Sequence, residues 1–274
     1  MSQRRDAILR EMGLAPLWRL RGDEGGEAPQ PTEPVAITAA AEAMPERAGT
    51  LVAQPAASRE ESPPSSSSTL PVALSMQSMF STDGALSGLD WDELEARIRG
   101  CEACGLCKRR KQAVPGVGDR EADWLFVGEG PGAEEDERGE PFVGQAGRLL
   151  DLMLASIALK RGEDVYIANA VKCRPPNNRT PEAAELAACF PYLERQIALI
   201  RPRLIVALGR PAAQALLNEE VRIAAARGRL FSHAGIPVVV TYHPAYLLRN
   251  PQDKSKAWED LCFARRTMAG LKAG

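Results

Sequence analysis

Histidine is nearly absent from this chain, lysine is missing from its first 88 residues, cysteine is sparse and long apolar runs do not occur. Each scarcity excludes something. Six cysteines in 274 residues are too few for a disulfide scaffold, and clustered cysteines in a reducing compartment more often bind metal or do chemistry. No stretch approaches the roughly 18 to 20 uninterrupted apolar residues of a membrane span. The chain opens MSQRRDAILREMG, with neither an apolar run nor a small-residue cleavage site. A cytoplasmic protein that meets no membrane is therefore expected.

The formal net charge of −2 conceals an uneven distribution. Residues 1–88 hold 7 Arg and 11 acidic residues, a net of −4, which leaves 27 basic and 25 acidic residues, a net of +2, for residues 89–274. Such a mild excess neither requires nor excludes a nucleic-acid partner, since binding depends on a local basic patch.

Residues 22–88 are rich in Ala, Pro, Ser and Glu (GGEAPQPTEP, ASREESPPSSSS) and poor in large apolar residues. They cannot bury enough surface to offset ordering entropy, which predicts a disordered linker. Ahead of it, Ile8, Leu9, Met12, Leu17 and Trp18 suit a short amphipathic helix within 1–21, either a frayed terminus or a docking peptide for a partner protein. From residue 89 onward, apolar runs at 124–127, 165–168, 204–208 and 237–242 read as buried strands. Helical periodicity lies between them at 145–159, 181–200 and 210–217, with Thr180 and Pro181 as cap and first turn of the second. Alternating strands and helices predict an α/β domain over 89–274, a mainly parallel four-stranded sheet covered on both faces. Sites in such sheets lie beyond the carboxyl ends of the strands.

Cys101, Cys104 and Cys107 form C-x2-C-x2-C, but the fourth cysteine of a ferredoxin-type run is replaced by Lys111. Cys173 at a strand end and Cys189 one helix later could complete a four-thiolate site, which suits zinc or a [4Fe-4S] cluster alike. A non-catalytic zinc-bound nucleic-acid module therefore stays open on the cysteines alone. Cys262, between Leu261 and Phe263, reads as a core residue, and Cys107 is ambiguous.

The first strand runs into Gly128-Glu129-Gly130-Pro131-Gly132. Ala133 breaks the dinucleotide fingerprint, so the turn reads instead as one where backbone N–H groups approach a ligand, with Phe142 as a flat stacking surface. The second strand reaches Asn169, whose amide donates and accepts at once, as a base edge requires. The fourth delivers His243, the sole strand-end imidazole if His233 lies in a loop.

Assembled, GEGPGAEEDERGEPFVGQAG, YIANAVKCRPPNNRTP, HPAYLLR and the spaced cysteines make the chain resemble the family 4 uracil-DNA glycosylases over about residues 98–272. The resemblance implies a three-layer α/β/α sandwich, a [4Fe-4S] cluster on Cys101, Cys104, Cys173 and Cys189, and uracil-containing DNA as partner; a monomer is expected. It implies that Phe142 stacks on the flipped base, that Asn169 reads N3 and O4, and that Glu135 blocks the thymine methyl. His243 and the backbone amides around Glu129 and Gly130 would stabilise the departing uracil anion. Family 1 relatives carry Asp where this chain has Gly130, so Glu129 becomes the candidate for orienting water. HPAYLLR resembles the family's minor-groove loop, with Leu247 or Leu248 filling the vacated stack and Arg249 near phosphate. The cluster would brace loops that set Lys108, Arg109, Arg110, Lys111, Arg174 and Arg179 against the DNA backbone. A glycosylase-fold relative that traps its product or prefers another damaged base is the remaining alternative.

Overall fold

The computed structural model describes residues 86–273; the expected helix at 1–21 and nearly all of the expected 22–88 linker lie outside them. Helix α1 (Trp91–Arg99) opens on a reciprocal cap. Asp90 Oδ1 accepts from the Glu93 amide at 2.9 Å and Glu93 Oε2 from the Asp90 amide at 3.0 Å, satisfying amides that a helix start leaves unpaired. A 3-10 turn (Gly105–Lys108), β1 (Val117–Gly118) and β2 (Trp124–Gly128) follow. Then come α2 (Ala133–Arg138), α3 (Gln145–Ser156), β3 (Val165–Asn169), α4 (Ala183–Ile200), β4 (Leu204–Leu208) and α5 (Arg210–Leu217). The one-turn α6 (Ile223–Ala226), β5 (Leu230–His233), β6 (Ile236–Thr241), α7 (Pro244–Arg249) and α8 (Lys254–Ala273) complete the chain.

The sheet order is β1-β3-β2-β4-β6-β5, with the four inner strands parallel and both edges antiparallel. The four expected strands are those inner four, but the sheet has six. The two edge strands lack the signal that betrayed the others: β1 is two residues long, and β5 alternates exposed with half-buried positions. In β2, β3 and β4 every residue is buried, because successive side chains enter opposite layers. Trp124 and Phe126 join Ile167, Val206, Leu150 and Leu261 on one face. Leu125 and Val127 join Tyr166, Ile205, Leu193 and Ile197 on the other. The α/β/α layering follows directly.

Three local expectations are corrected. Helix α4 starts at Ala183 and not at Pro181, because Glu182 is its cap and the Glu185 carboxylate accepts the Glu182 amide at 2.8 Å. His233 ends β5, paired with Ile236 at the start of β6, which puts it on the sheet edge opposite the strand carboxyl ends. HPAYLLR is not a loop: Pro244, whose φ already suits a first helical turn, starts α7. Among the described residues no helix is long and apolar enough to cross a membrane.

Chain order reverses about β2, since β3 lies on one side of it and β4 on the other. That switch point is where open α/β sheets leave a crevice beyond their strand ends.

Candidate active site and thiol-lined cavity

Parallel register brings the strand ends into line. Gly128 pairs with Asn169 and Leu208 with Thr241, so the residues after each strand meet at one edge. They enclose a cavity of about 780 Å³ lined by Glu129, Gly130, Glu135, Phe142, Asn169 and His243, with Thr180, Arg210, Tyr242, Tyr246 and Arg249 around it. Phe142, Asn169 and His243 are therefore neighbours. Gly128 allows this, since a Cβ there would strike both the Asn169 Oδ1 and the Phe142 ring. The Phe142 and His243 rings lie 5.4 Å apart between centroids.

Asn169 is 2 % exposed, and its Oδ1 has no hydrogen-bond partner. A buried orphan acceptor costs on the order of 1–3 kcal/mol unless a ligand fills it. His243 caps α7: its Nδ1 accepts from the Ala245 amide at 3.1 Å. That bond places the ring proton on Nε2. Burial, helped by Arg249, pulls the imidazole from its ordinary 6.5 down to about 4, so the ring is neutral near pH 7. It is a fixed neutral donor. Burial raises the Glu129 carboxyl above its usual value, against a hydrogen bond to Thr180 and the opposing pull of Arg210 and Arg249.

Glu135 holds the loop together. Its Oε1 accepts from the Val143 and Gly144 amides at 2.9 and 3.0 Å, and its Oε2 from the Gly132 amide at 3.0 Å. Gly130 has no room for a side chain, because a Cβ would lie 2.6 Å from Val171 Cγ2. Of the two leucines proposed for the vacated stack, Leu247 is 1 % exposed within the core, and Leu248 is 41 % exposed beside Arg249.

A second, narrow cavity is ringed by Cys101, Cys104, Cys107, Cys173 and Cys189, with Ile98, Lys172 and Tyr192. All four expected ligands are there, and Cys107 joins them. The five thiols line this one cavity. Sulfurs receive donors from the protein, Arg110 Nη1 on Cys173 at 2.9 Å, the Lys172 amide on Cys189 at 3.2 Å and the Ala103 amide on Cys101 at 3.5 Å. Lys172, itself 1 % exposed, donates from Nζ to the Asn169 carbonyl at 2.8 Å and to Gln196 Oε1 at 2.6 Å. It links the thiol cavity to the one beyond the strand ends.

The basic residues expected on DNA divide. Arg110 is turned to Cys173 and the Arg99 carbonyl, Lys111 pairs with Glu137, Arg174 donates to Asn178, and Arg179 grips Glu185 with both terminal nitrogens. Lys108 and Arg109 are exposed. Sequence reasoning missed Arg210 and Thr180. Arg210 is the second residue after β4, and the strand-end rule that singled out Glu129 and His243 would have found it. Thr180, assigned to a helix cap, carried no such signal.

The model of the uracil DNA glycosylase superfamily matches residues 115–262, and the chain belongs to that superfamily. Within it the similarity runs strongly to one type. The chain is 45 % identical over 183 residues to the type-4 uracil-DNA glycosylase of Pyrobaculum aerophilum, spanning 64 % of this chain and 93 % of that protein. It is 48 % identical over 169 residues to the type-4 enzyme of Archaeoglobus fulgidus, covering 59 % and 84 %. A type-5 uracil-DNA glycosylase of Thermus thermophilus is 39 % identical over 158 residues, covering 45 % and 71 %.

Proposed function

We propose that this chain is a uracil-DNA glycosylase that takes uracil out of the DNA stack and hydrolyses its N-glycosidic bond, leaving an abasic site for base excision repair. The observation that carries this reading is the unpartnered Asn169 Oδ1, buried beside the Phe142 ring and the His243 imidazole. Uracil offers N3–H to that oxygen and O4 to the Asn169 Nδ2. Cytosine presents an acceptor and a donor in the reverse order and leaves two like groups facing. Phe142 supplies the flat surface under the base. Glu135, fixed by three backbone amides, stands as the block against the thymine methyl.

Cleavage builds negative charge on uracil O2 and cationic charge on the sugar, so donors aimed at the departing anion lower the barrier. His243 Nε2–H, neutral and held from behind by the Ala245 amide, takes that role with the backbone amides around Glu129 and Gly130. Glu129 orients the attacking water. Removing a base from duplex DNA costs a few kcal/mol of unstacking. Leu248, exposed on α7, fills the gap, and Arg249 and Arg210 meet phosphate.

Cys101, Cys104, Cys173 and Cys189 would hold a [4Fe-4S] cluster. Four soft sulfur donors on one cavity, three of the sulfurs there already accepting N–H bonds, fit such a group. Glycosidic hydrolysis moves no electrons, so the cluster would supply bracing to the segments around it. The chain acts as a cytoplasmic monomer, with residues 89–274 as the catalytic domain and the N-terminal segment free to dock a partner protein.

The direct test is incubation with a uracil-containing oligonucleotide, then alkaline cleavage at abasic sites, with thymine and hypoxanthine controls. Cleavage at uracil with thymine untouched is expected. An oligonucleotide left intact at uracil would sink the proposal.

A further inference from the structure

The loop that presents Phe142 is held from two sides, and only one of the grips faces the pocket. On the pocket side Glu135 takes the Val143 and Gly144 amides. Behind the loop stands Arg161, in the tight reversal between α3 and β3 where Lys160 and Glu163 bridge. Its Nη1 donates to the Pro141 carbonyl at 3.0 Å, its Nη2 to the Phe142 carbonyl at 2.8 Å and its Nε to Asp151 Oδ1 at 2.9 Å. Arg161 is absent from the cavity lining.

The Phe142 backbone needs such a hold. Its φ is 56°, a left-handed conformation that a residue with a Cβ resists. Gly147 leaves space for the result, because a Cβ at that position would overlap the Phe142 carbonyl. A guanidinium is permanently charged and planar, and its fork can hold two successive carbonyls as an ammonium cannot.

We propose that Arg161 is a positioning residue for base recognition: by clamping the Pro141 and Phe142 carbonyls it fixes the turn that sets the Phe142 ring against the base. The proposal deepens the uracil reading above and rests on it. Arg161 touches neither substrate nor reacting atoms, so its whole effect passes through Phe142.

A double-mutant cycle on the full chain tests this, with KM and single-turnover kcat measured on uracil-containing DNA and melting recorded for each variant. Arg161→Ala is expected to raise KM about tenfold, equivalent to ~1.4 kcal/mol, with kcat changed far less. In a Phe142→Ala background the same substitution should cost nothing further. Arg161→Lys should recover part of the loss, and Asp151→Asn, which loosens the anchor at an exposed side chain, should show a smaller KM rise of the same kind with melting unchanged. Equal losses in both backgrounds, or lower melting temperatures with KM unchanged, would overturn the clamp. If Phe142→Ala alone left uracil cleavage intact, the stacking role would fall and the clamp with it. That pattern is distinct from additive losses.

Discussion

His243 commits Nδ1 to the Ala245 amide, which leaves the ring proton on Nε2 for the donor role proposed above, and its basicity is set by the same surroundings. Its folded pKa lies below its ordinary value, so the native state takes up a proton less readily than the unfolded chain. Stability held by the neutral ring is lost as pH falls from about 6.5 toward about 4. Single-turnover cleavage should accordingly show no ionisation of this residue from pH 6 to 8. A titration of its ring proton resonances should find the midpoint near 4, and a midpoint near 6.5 would contradict the neutral-donor role. On the proposed mechanism, with no carboxylate at Gly130, anion stabilisation carries more of the reaction, so His243→Ala should slow single-turnover cleavage more than Glu129→Ala. Equal losses would reverse that ranking. These residues were legible because strand-end position and side-chain chemistry coincide at Glu129, Asn169 and His243. Arg161 and Lys172 were not, because their work is on backbone carbonyls that no sequence pattern marks.

At the level of elements, α7 separates two leucines that adjacent sequence positions made equivalent. A helix turns 100° per residue, so when Leu247 enters the core Leu248 faces out. Leu247→Ala should lower stability by about 2–5 kcal/mol, read by denaturant melting. Leu248→Ala should leave stability nearly unchanged and reduce cleavage in duplex DNA more than in single strands, where there is no stack to replace. A similar loss on both substrates would remove Leu248 from that role. The central strands were readable as continuous apolar runs because both their faces are covered. The edges were not. One exposed flank removes the run from β5, and two residues give β1 no period at all.

For the whole molecule, the mild positive balance of residues 89–274 resolves into particular cations. With Arg110, Lys111, Arg174 and Arg179 each bonded to another group of the protein, Lys108, Arg109, Arg210 and Arg249 are the cations we propose for phosphate contact. Neutralising any one should weaken DNA binding and reduce the slope of log affinity against log salt by about one, while Lys111→Gln should leave the slope unchanged. The sheet has a further property. Its order divides cleanly, with β1, β3 and β2 from the first half of the domain and β4, β6 and β5 from the second, hydrogen-bonded to each other only where Trp124 to Val127 pair with Leu204 to Ala207. Phe142 and Asn169 stand on one side of that seam and His243 on the other, and Cys189 is parted likewise from Cys101, Cys104 and Cys173. A chain cut between Cys173 and α4 would yield two inert pieces, each already carrying three adjacent strands. Cleavage of a uracil-containing oligonucleotide is therefore expected from neither piece alone, and its return when the two are brought together by fused partners would measure their reassembly.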